Sequence, residues 1–151
     1  MNIQVIHGPN LNLLGTREPH LYGVLTLHEI NVRLQEIAQG RGTALRITQS
    51  NSEGALIDAL QEARAWADGV IINPGAYGHY SYALADAVAS IALPTIEVHL
   101  TNIHARESWR RQSVLAPMVT GAVCGLGWRG YAAAMDALIG MIHDRVSDGT
   151  A

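Results

Sequence analysis

The chain contains no lysine; the ten residues counted as Lys plus Arg are all arginine. That absence excludes a lysine Schiff base, a P-loop lysine on phosphate and a lysine-held pyridoxal cofactor. Any chemistry on a carbonyl therefore proceeds without an amine side chain. Cysteine is nearly absent too. The single Cys124 has no internal disulfide partner, which predicts a reducing, cytoplasmic setting. No apolar run approaches the roughly 20 residues of a membrane span, so no membrane partner is expected. Met1 leads straight into a strand pattern, without the basic and apolar regions of a secretory signal. Positive charge is not in surplus: the net charge is −3. Nucleic acid is not an expected partner, because duplex binding needs a basic face that displaces counterions. Seven histidines are present, yet there is no HExxH and no Cys/His cluster, so no metal site is predicted. Without a GxSxG elbow, Ser/His/Asp hydrolysis has no support either.

What is present suits one α/β domain. The chain has 151 residues, 48% hydrophobic and 15% charged, enough to bury roughly 68–70% of its unfolded surface. A single catalytic domain over residues 1–146 is expected, with residues 147–151 a loose tail. Apolar runs at residues 3–7, 69–73, 95–99 and 119–124 read as buried strands. Residues 44–49 alternate Leu45 and Ile47 with Arg46 and Thr48, the pattern of a strand with one wet face. Thr26 followed by Glu29, and Ser50 followed by Glu53, have the capping-box form. Helices follow both. The first carries Leu27, Ile30, Leu34 and Ile37 inward; the second carries Leu56, Leu60, Ala63 and Ala67. A third helix is expected over residues 79–92, a short one within 101–112, and a last one with Tyr131, Met135, Leu138 and Ile142 on one face. This β-α repetition implies a doubly wound parallel sheet with helices on both faces. In such sheets ligands bind outside the carboxyl ends of the strands. The polar clusters after the first, third and fourth strands all fall at that edge.

Residues 7–23 are too long and too rich in Gly and Pro for an ordinary turn. Loops of that length are functional or disordered. Leu11, Leu13, Leu14 and Leu21 offer anchors that argue against disorder. Between them stand Asn10, Asn12, Arg17, Glu18 and Tyr22. Tyrosine is a weak base at neutral pH, but a nearby guanidinium favours its ionised form, and Glu18 would hold Arg17 in place. Otherwise Tyr22 is a loop aromatic and Arg17 a solvated charge. Glu97 and His99, two apart in a strand, project to one face, so the carboxylate can fix the imidazole tautomer of a general acid. Arg106 and Arg110 would share a helical face and clamp a carboxylate or hydroxyls, or form a surface pair answered by Glu107. Asn73 and His79 follow the third strand and either recognise hydroxyls or make the turn. Asp86, seven after His79 on the same expected helical face, is an exposed charge unless a second subunit approaches. Gly125-Leu126-Gly127 and Gly130 distantly match a GxGxxG turn, which keeps a nucleotide- or flavin-binding module open as an alternative.

Taken in order, certain stretches resemble the type II 3-dehydroquinate dehydratases. They are Gly8-Pro9-Asn10-Leu11-Asn12-Leu13-Leu14-Gly15, Arg17-Glu18-Pro19, Tyr22-Gly23, Gln49-Ser50-Asn51 and Asn73-Pro74-Gly75-Ala76-Tyr77, then Ile96-Glu97-Val98-His99-Leu100 and Asn102-Ile103-His104-Ala105-Arg106-Glu107. The likeness spans residues 3–143. It implies a flavodoxin-like five-stranded parallel sheet of order 2-1-3-4-5 and a dodecamer built from trimers. It also implies dehydration of 3-dehydroquinate to 3-dehydroshikimate by anti elimination through an enolate, without cofactor or metal. By motif position Tyr22 is the base, Arg17 keeps it ionised, His99 is the acid, Glu97 orients it and Asn10 stabilises the enolate. Asn73, His79, Arg106 and Arg110 bind the substrate, and the amides of Leu100 and Thr101 take its carboxylate. Asp86 reaches a neighbouring subunit's site, and residues 15–22 form a lid. The chain departs from the pattern at His7, commonly asparagine. Gly78, Tyr80, Tyr82 and Ala85 stand where Thr, Thr, an aliphatic and Arg are usual, and Trp128 and Arg129 where small residues and Gln are common. Those helix changes leave room for a relative acting on another cyclic hydroxy-ketone.

Overall fold

In the computed structural model, which describes residues 1–149, the continuous apolar runs are the middle of the sheet. β1 (Asn2–His7), β2 (Ala44–Gln49), β3 (Gly69–Asn73), β4 (Thr95–His99) and β5 (Gly121–Cys124) line up in the order β2-β1-β3-β4-β5. All four pairings are parallel. Every residue of β3 and β4 is buried, because helices cover both faces. β2, at an edge, alternates exposed Ala44 and Arg46 with half-buried Leu45 and Ile47.

The pleat sorts the core into two halves. Ile3, Val5, Ile71, Ile96 and Val98 face α2 (Leu27–Gly40) and α5 (Arg129–Ser147), meeting Leu34, Met135 and Leu138. Ile6, Val70 and Ile72 face α3 (Glu53–Ala63) and α4 (Tyr82–Ile91), meeting Leu56, Leu60, Leu84 and Val88. Burying such a side chain fully contributes roughly 1.5–3 kcal/mol. Among the described residues no helix is long and apolar enough to cross a membrane.

Local capping chemistry explains where the structure departs from the sequence pattern. The Thr26 box forms in full: the Thr26 hydroxyl accepts from the Glu29 amide, and the Glu29 carboxylate accepts from the Thr26 amide. The second box does not. Ser52 rather than Ser50 caps α3, accepting from the Ala55 amide, and the Glu53 carboxylate instead takes the Ser81 hydroxyl. Ser81 in turn caps α4 by accepting from the Leu84 amide at 3.0 Å, so that helix opens at Tyr82 and not at residue 79. Gly75–His79 is a separate 3-10 turn, and His79 and Asp86 share no helical face. Residues 101–112 form two such turns, Ile103–Ala105 and Ser108–Arg110, with Arg106 extended between them. Arg106 and Arg110 are therefore not neighbours on one helix. The last strand is shorter than expected, and α5 still includes Ser147 of the expected tail; residues 150–151 of that tail lie outside the described residues.

Candidate active site

The order in which the chain winds along the sheet reverses between β1 and β3, and the loops leaving β1, β3 and β4 wall a cleft there. Two glycines let the first two walls touch. A Cβ on Gly8 would lie 2.5 Å from the Pro74 carbonyl oxygen, so only glycine permits the Gly8 amide to donate to the Asn73 carbonyl at 2.7 Å. Gly75, at φ 56°, sits against Pro9 from the other side.

The loop after β1 then folds in two halves. Asn10 takes the left-handed conformation, φ 67°, which asparagine tolerates. Its amide donates to Asn51 Oδ1 at 2.9 Å, and the 3-10 turn Leu11–Leu13 follows. Leu11 and Leu14 are buried and pin this half; Leu13 is 47% exposed and anchors nothing. The second half turns on Glu18, also left-handed at φ 38°. Strain of that kind costs on the order of 1–3 kcal/mol and clusters at functional sites. Pro19 opens the one-turn helix α1 (Pro19–Tyr22), which delivers Tyr22 to the cleft.

Three charges surround that tyrosine. Arg17 lies over its ring, 5.1 Å from the centroid, with its Nε 3.4 Å from the Glu18 carboxylate. Arg106 Nη1 donates to the phenol oxygen at 2.9 Å and to Thr101 Oγ1 at 3.1 Å. The sequence pointed to Arg17 as the partner of the phenol; the direct hydrogen bond comes from Arg106. Its side chain is only 10% exposed, and the extended backbone at residue 106 is what aims it inward.

His99 forms part of the other wall. Its Nε2 meets Glu97 Oε1 at 2.6 Å, and both side chains are buried. Any proton that His99 exchanges with a ligand therefore moves at Nδ1. Ser113, which the sequence reading passed over, donates its hydroxyl to the same carboxylate at 2.7 Å and accepts from the Leu115 and Ala116 amides. His79 stacks on His99, centroids 5.6 Å apart. Its Nδ1–H donates to the Gln112 carbonyl at 2.7 Å, which presents Nε2 elsewhere. Burial holds His79 below the usual imidazole range, against the pull of that hydrogen bond. Asn73 lines the cleft with its Oδ1 accepting from the Gly75 amide at 3.1 Å. Arg110 is braced by Glu107 at 2.7 Å and lies on the Trp109 ring at 4.0 Å.

Asn10, Arg17, Tyr22, Asn73, His79, His99, Leu100, Thr101, Arg106 and Arg110 thus all line one cleft. Glu97 stands behind His99. Asp86 does not join them; it is exposed on α4 beside Tyr82 and Met118, outside the cleft. Among the described residues no three His, Cys, Asp or Glu side chains converge to hold a metal ion. The Gly125–Gly127 turn after β5 lies at the sheet edge and forms no part of the cleft lining. Beyond Ser113, the sequence reading passed over Asn31 and placed Tyr131 only as an inward-facing core residue; their amide and hydroxyl meet the buried His7 at 2.9 and 2.8 Å. The only signal for them was a histidine and a tyrosine at positions that pattern marks as core.

A flavodoxin-like sheet whose switch-point cleft sets a tyrosine among arginines, together with a carboxylate-held histidine, defines a class of small α/β proteins equipped for proton transfer. The family described as Dehydroquinase class II matches residues 1–139, and the chain belongs to it. It is 59% identical over 141 residues to the 3-dehydroquinate dehydratase of Roseiflexus castenholzii, covering 93% of this chain and 89% of that one. The 3-dehydroquinate dehydratase of Pelotomaculum thermopropionicum is 56% identical over 137 residues, 91% of this chain and 95% of that one. The crystal structure of the type II dehydroquinase from Butyrivibrio crossotus superposes with a TM-score of 0.90 at 45% identity, over 91% of this chain and 97% of that one.

Proposed function

We propose that the protein is a hydro-lyase that dehydrates 3-dehydroquinate to 3-dehydroshikimate by anti elimination through an enolate. The observation that carries this reading is the pairing of Tyr22 and His99 in one cleft, each with its own fixed partners. Tyr22 oxygen, with Arg106 donating to it and Arg17 over its ring, is the base that takes the proton beside the ketone. The C–H electron pair moves into an enolate, whose oxygen carries the charge. Asn10, directly or through a water, offers it a donor, and fixed donors aimed at such a charge are worth several kcal/mol. Collapse of the enolate expels the β-hydroxyl, and His99 Nδ1 supplies the proton that lets it leave as water. Glu97 and Ser113 hold the imidazole for that step. General acid and base groups placed this way each contribute roughly 10²–10⁴-fold.

The remaining lining residues bind. Asn73, His79 and Arg110 take hydroxyls, and the Leu100 and Thr101 amides take the carboxylate, with Arg106 beside them. The exposed Tyr82 and Met118 around Asp86 are what a subunit contact would cover. This supports the assembly that the resemblance implies, a dodecamer of trimers in which Asp86 reaches the neighbouring site. The reaction belongs to a reducing cytosol and serves aromatic biosynthesis or quinate breakdown. Purified protein mixed with 3-dehydroquinate is expected to develop the ultraviolet absorbance of a conjugated enone. Folded protein that produces no such rise from neutral to alkaline pH overturns the assignment. Borohydride added with substrate is expected to leave activity intact, since no lysine imine can form.

A further inference from the structure

Two titratable side chains, His7 and Tyr131, are completely buried behind the cleft and have no place in the steps above. Buried polar atoms are tolerated only when paired. Here the pairing has a direction, and it runs from the backbone. The Gly75 amide can only donate, so the Asn73 atom 3.1 Å from it is the carbonyl oxygen Oδ1. That places the Asn73 NH₂ at the other end of the amide, where the side chain hydrogen-bonds Tyr131. The Tyr131 oxygen therefore accepts from Asn73, and its own proton must go elsewhere. It goes to His7 Nδ1, 2.8 Å away. His7 then carries its proton on Nε2, which donates to Asn31 Oδ1 at 2.9 Å. Every donor meets an acceptor from Gly75 to Asn31. His7 and Asn73 are neighbours in register on β1 and β3, so their side chains leave the sheet on the same face, toward Tyr131 on α5. Burial keeps the His7 imidazole neutral by pulling it down to about 4, which the one-proton arrangement requires.

We infer that His7 and Tyr131 form a relay that locks the Asn73 amide in one orientation, so that Asn73 meets a ligand as an N–H donor to an oxygen lone pair. Reversing the relay would present the amide carbonyl and select a donor instead. Both residues are positioning residues, since neither lines the cleft. The role in binding rests on the assigned reaction; the relay itself does not.

Two measurements separate these. The first is steady-state kinetics on 3-dehydroquinate for Tyr131→Phe, Asn73→Ala and the double variant. Tyr131→Phe is expected to raise KM about tenfold, the weight of one ordinary hydrogen bond, with kcat changed less than about twofold. The double variant is expected to match Asn73→Ala alone, because Tyr131 acts only through Asn73. Unchanged KM in Tyr131→Phe, or losses that multiply in the double variant, overturn the proposal. The second is the imidazole ¹⁵N spectrum of wild-type His7 near neutral pH, which needs neither a variant nor a substrate. A protonated Nε2 with a bare Nδ1 supports the relay. The opposite tautomer or a doubly protonated ring overturns it, even where Tyr131→Phe fails to fold. Folded wild type that is inert toward 3-dehydroquinate removes the assigned reaction and the relay's role in binding. The tautomer then still decides the relay.

Discussion

His99 rides on a central strand, 6% exposed, with Glu97, 1% exposed, at its back. Tyr22 ends a four-residue helix entered through a left-handed glutamate and left through a glycine at φ 86°. The two sides of the site are thus held in different ways. On the strand side, position comes with the fold: β4 cannot shift without breaking its ladders to β3 and β5. On the loop side, position comes from arginine contacts, Arg106 to the phenol oxygen and Arg17 over the ring. Segments with few buried contacts open at little free-energy cost, which is what a closing loop needs. The proposed acid is thus held by the sheet, whereas the proposed base is held by its loop.

The severest test of that division removes the proposed base and leaves its loop. Tyr22→Phe keeps the ring beneath Arg17 and loses only the oxygen. Turnover, followed as enone absorbance, is expected to fall roughly 10³-fold or more, while product still binds in an equilibrium titration. A variant with near-normal rate would remove Tyr22 as the base. On the strand side the largest expected effect is on stability. His7 is folded with its imidazole at about 4 against an ordinary 6.5, so the unfolded chain binds its proton first as pH falls. Its contribution is complete above about pH 6.5 and is lost progressively down to about pH 4, on the order of 3 kcal/mol in all. Half-buried His79 shifts in the same direction. Urea unfolding at pH 7.5 and 4.5 is expected to show this loss in wild type and a smaller one in His7→Asn. Equal losses in both would place the acid sensitivity elsewhere.

The same division explains what could be read from the sequence. The strands and the edge carrying the site follow from period and alternation, because burial on both faces leaves a plain mark on composition; the strand order came only from the family resemblance. His99 with Glu97 was legible for that reason: two residues apart on a strand is a geometric statement. Arg106 was legible as a candidate but not in its part. Its reach to Tyr22, 84 positions earlier, depends on the extended break between two 3-10 turns, and no local pattern encodes it. The helix start at Tyr82 was hidden because Ser81 and Glu53, from different elements, settle it together. Ser113 and Tyr131 were hidden because a hydroxyl in an apolar stretch looks like core until its partner is known.

On the loop side, Arg106→Met tests whether charge holds the base. It removes a charge-assisted hydrogen bond to the phenol oxygen while keeping an apolar stem of similar length. The expected loss in kcat is about 10- to 100-fold, the range for hydrogen bonds to charged groups. Thermal stability should change little, because the partner oxygen lies at a cleft that water can enter. A large drop in Tm with normal kcat would make Arg106 a structural residue and remove the contrast between the two sides.

The smallest effect is expected at Asn51, outside the cleft, where the two halves of the loop can be told apart. Its Oδ1 accepts from the Asn10 amide at 2.9 Å and from Gln49 Nε2 at 3.2 Å, and its carbonyl takes the Tyr77 hydroxyl. Asn51→Ala spares the carbonyl and deletes the side-chain acceptor, which is exposed, so the Asn10 amide can turn to water. The net cost of such a bond is about 1 kcal/mol, and kcat/KM should fall about fivefold. The loss should appear in kcat if Asn10 serves the enolate, because an interaction made only in the transition state lowers kcat and kcat/KM together. A loss confined to KM would assign Asn10 to ground-state binding. The front half of the loop would then belong with Asn73 and Arg110, leaving only residues 17–22 on the side that charge holds.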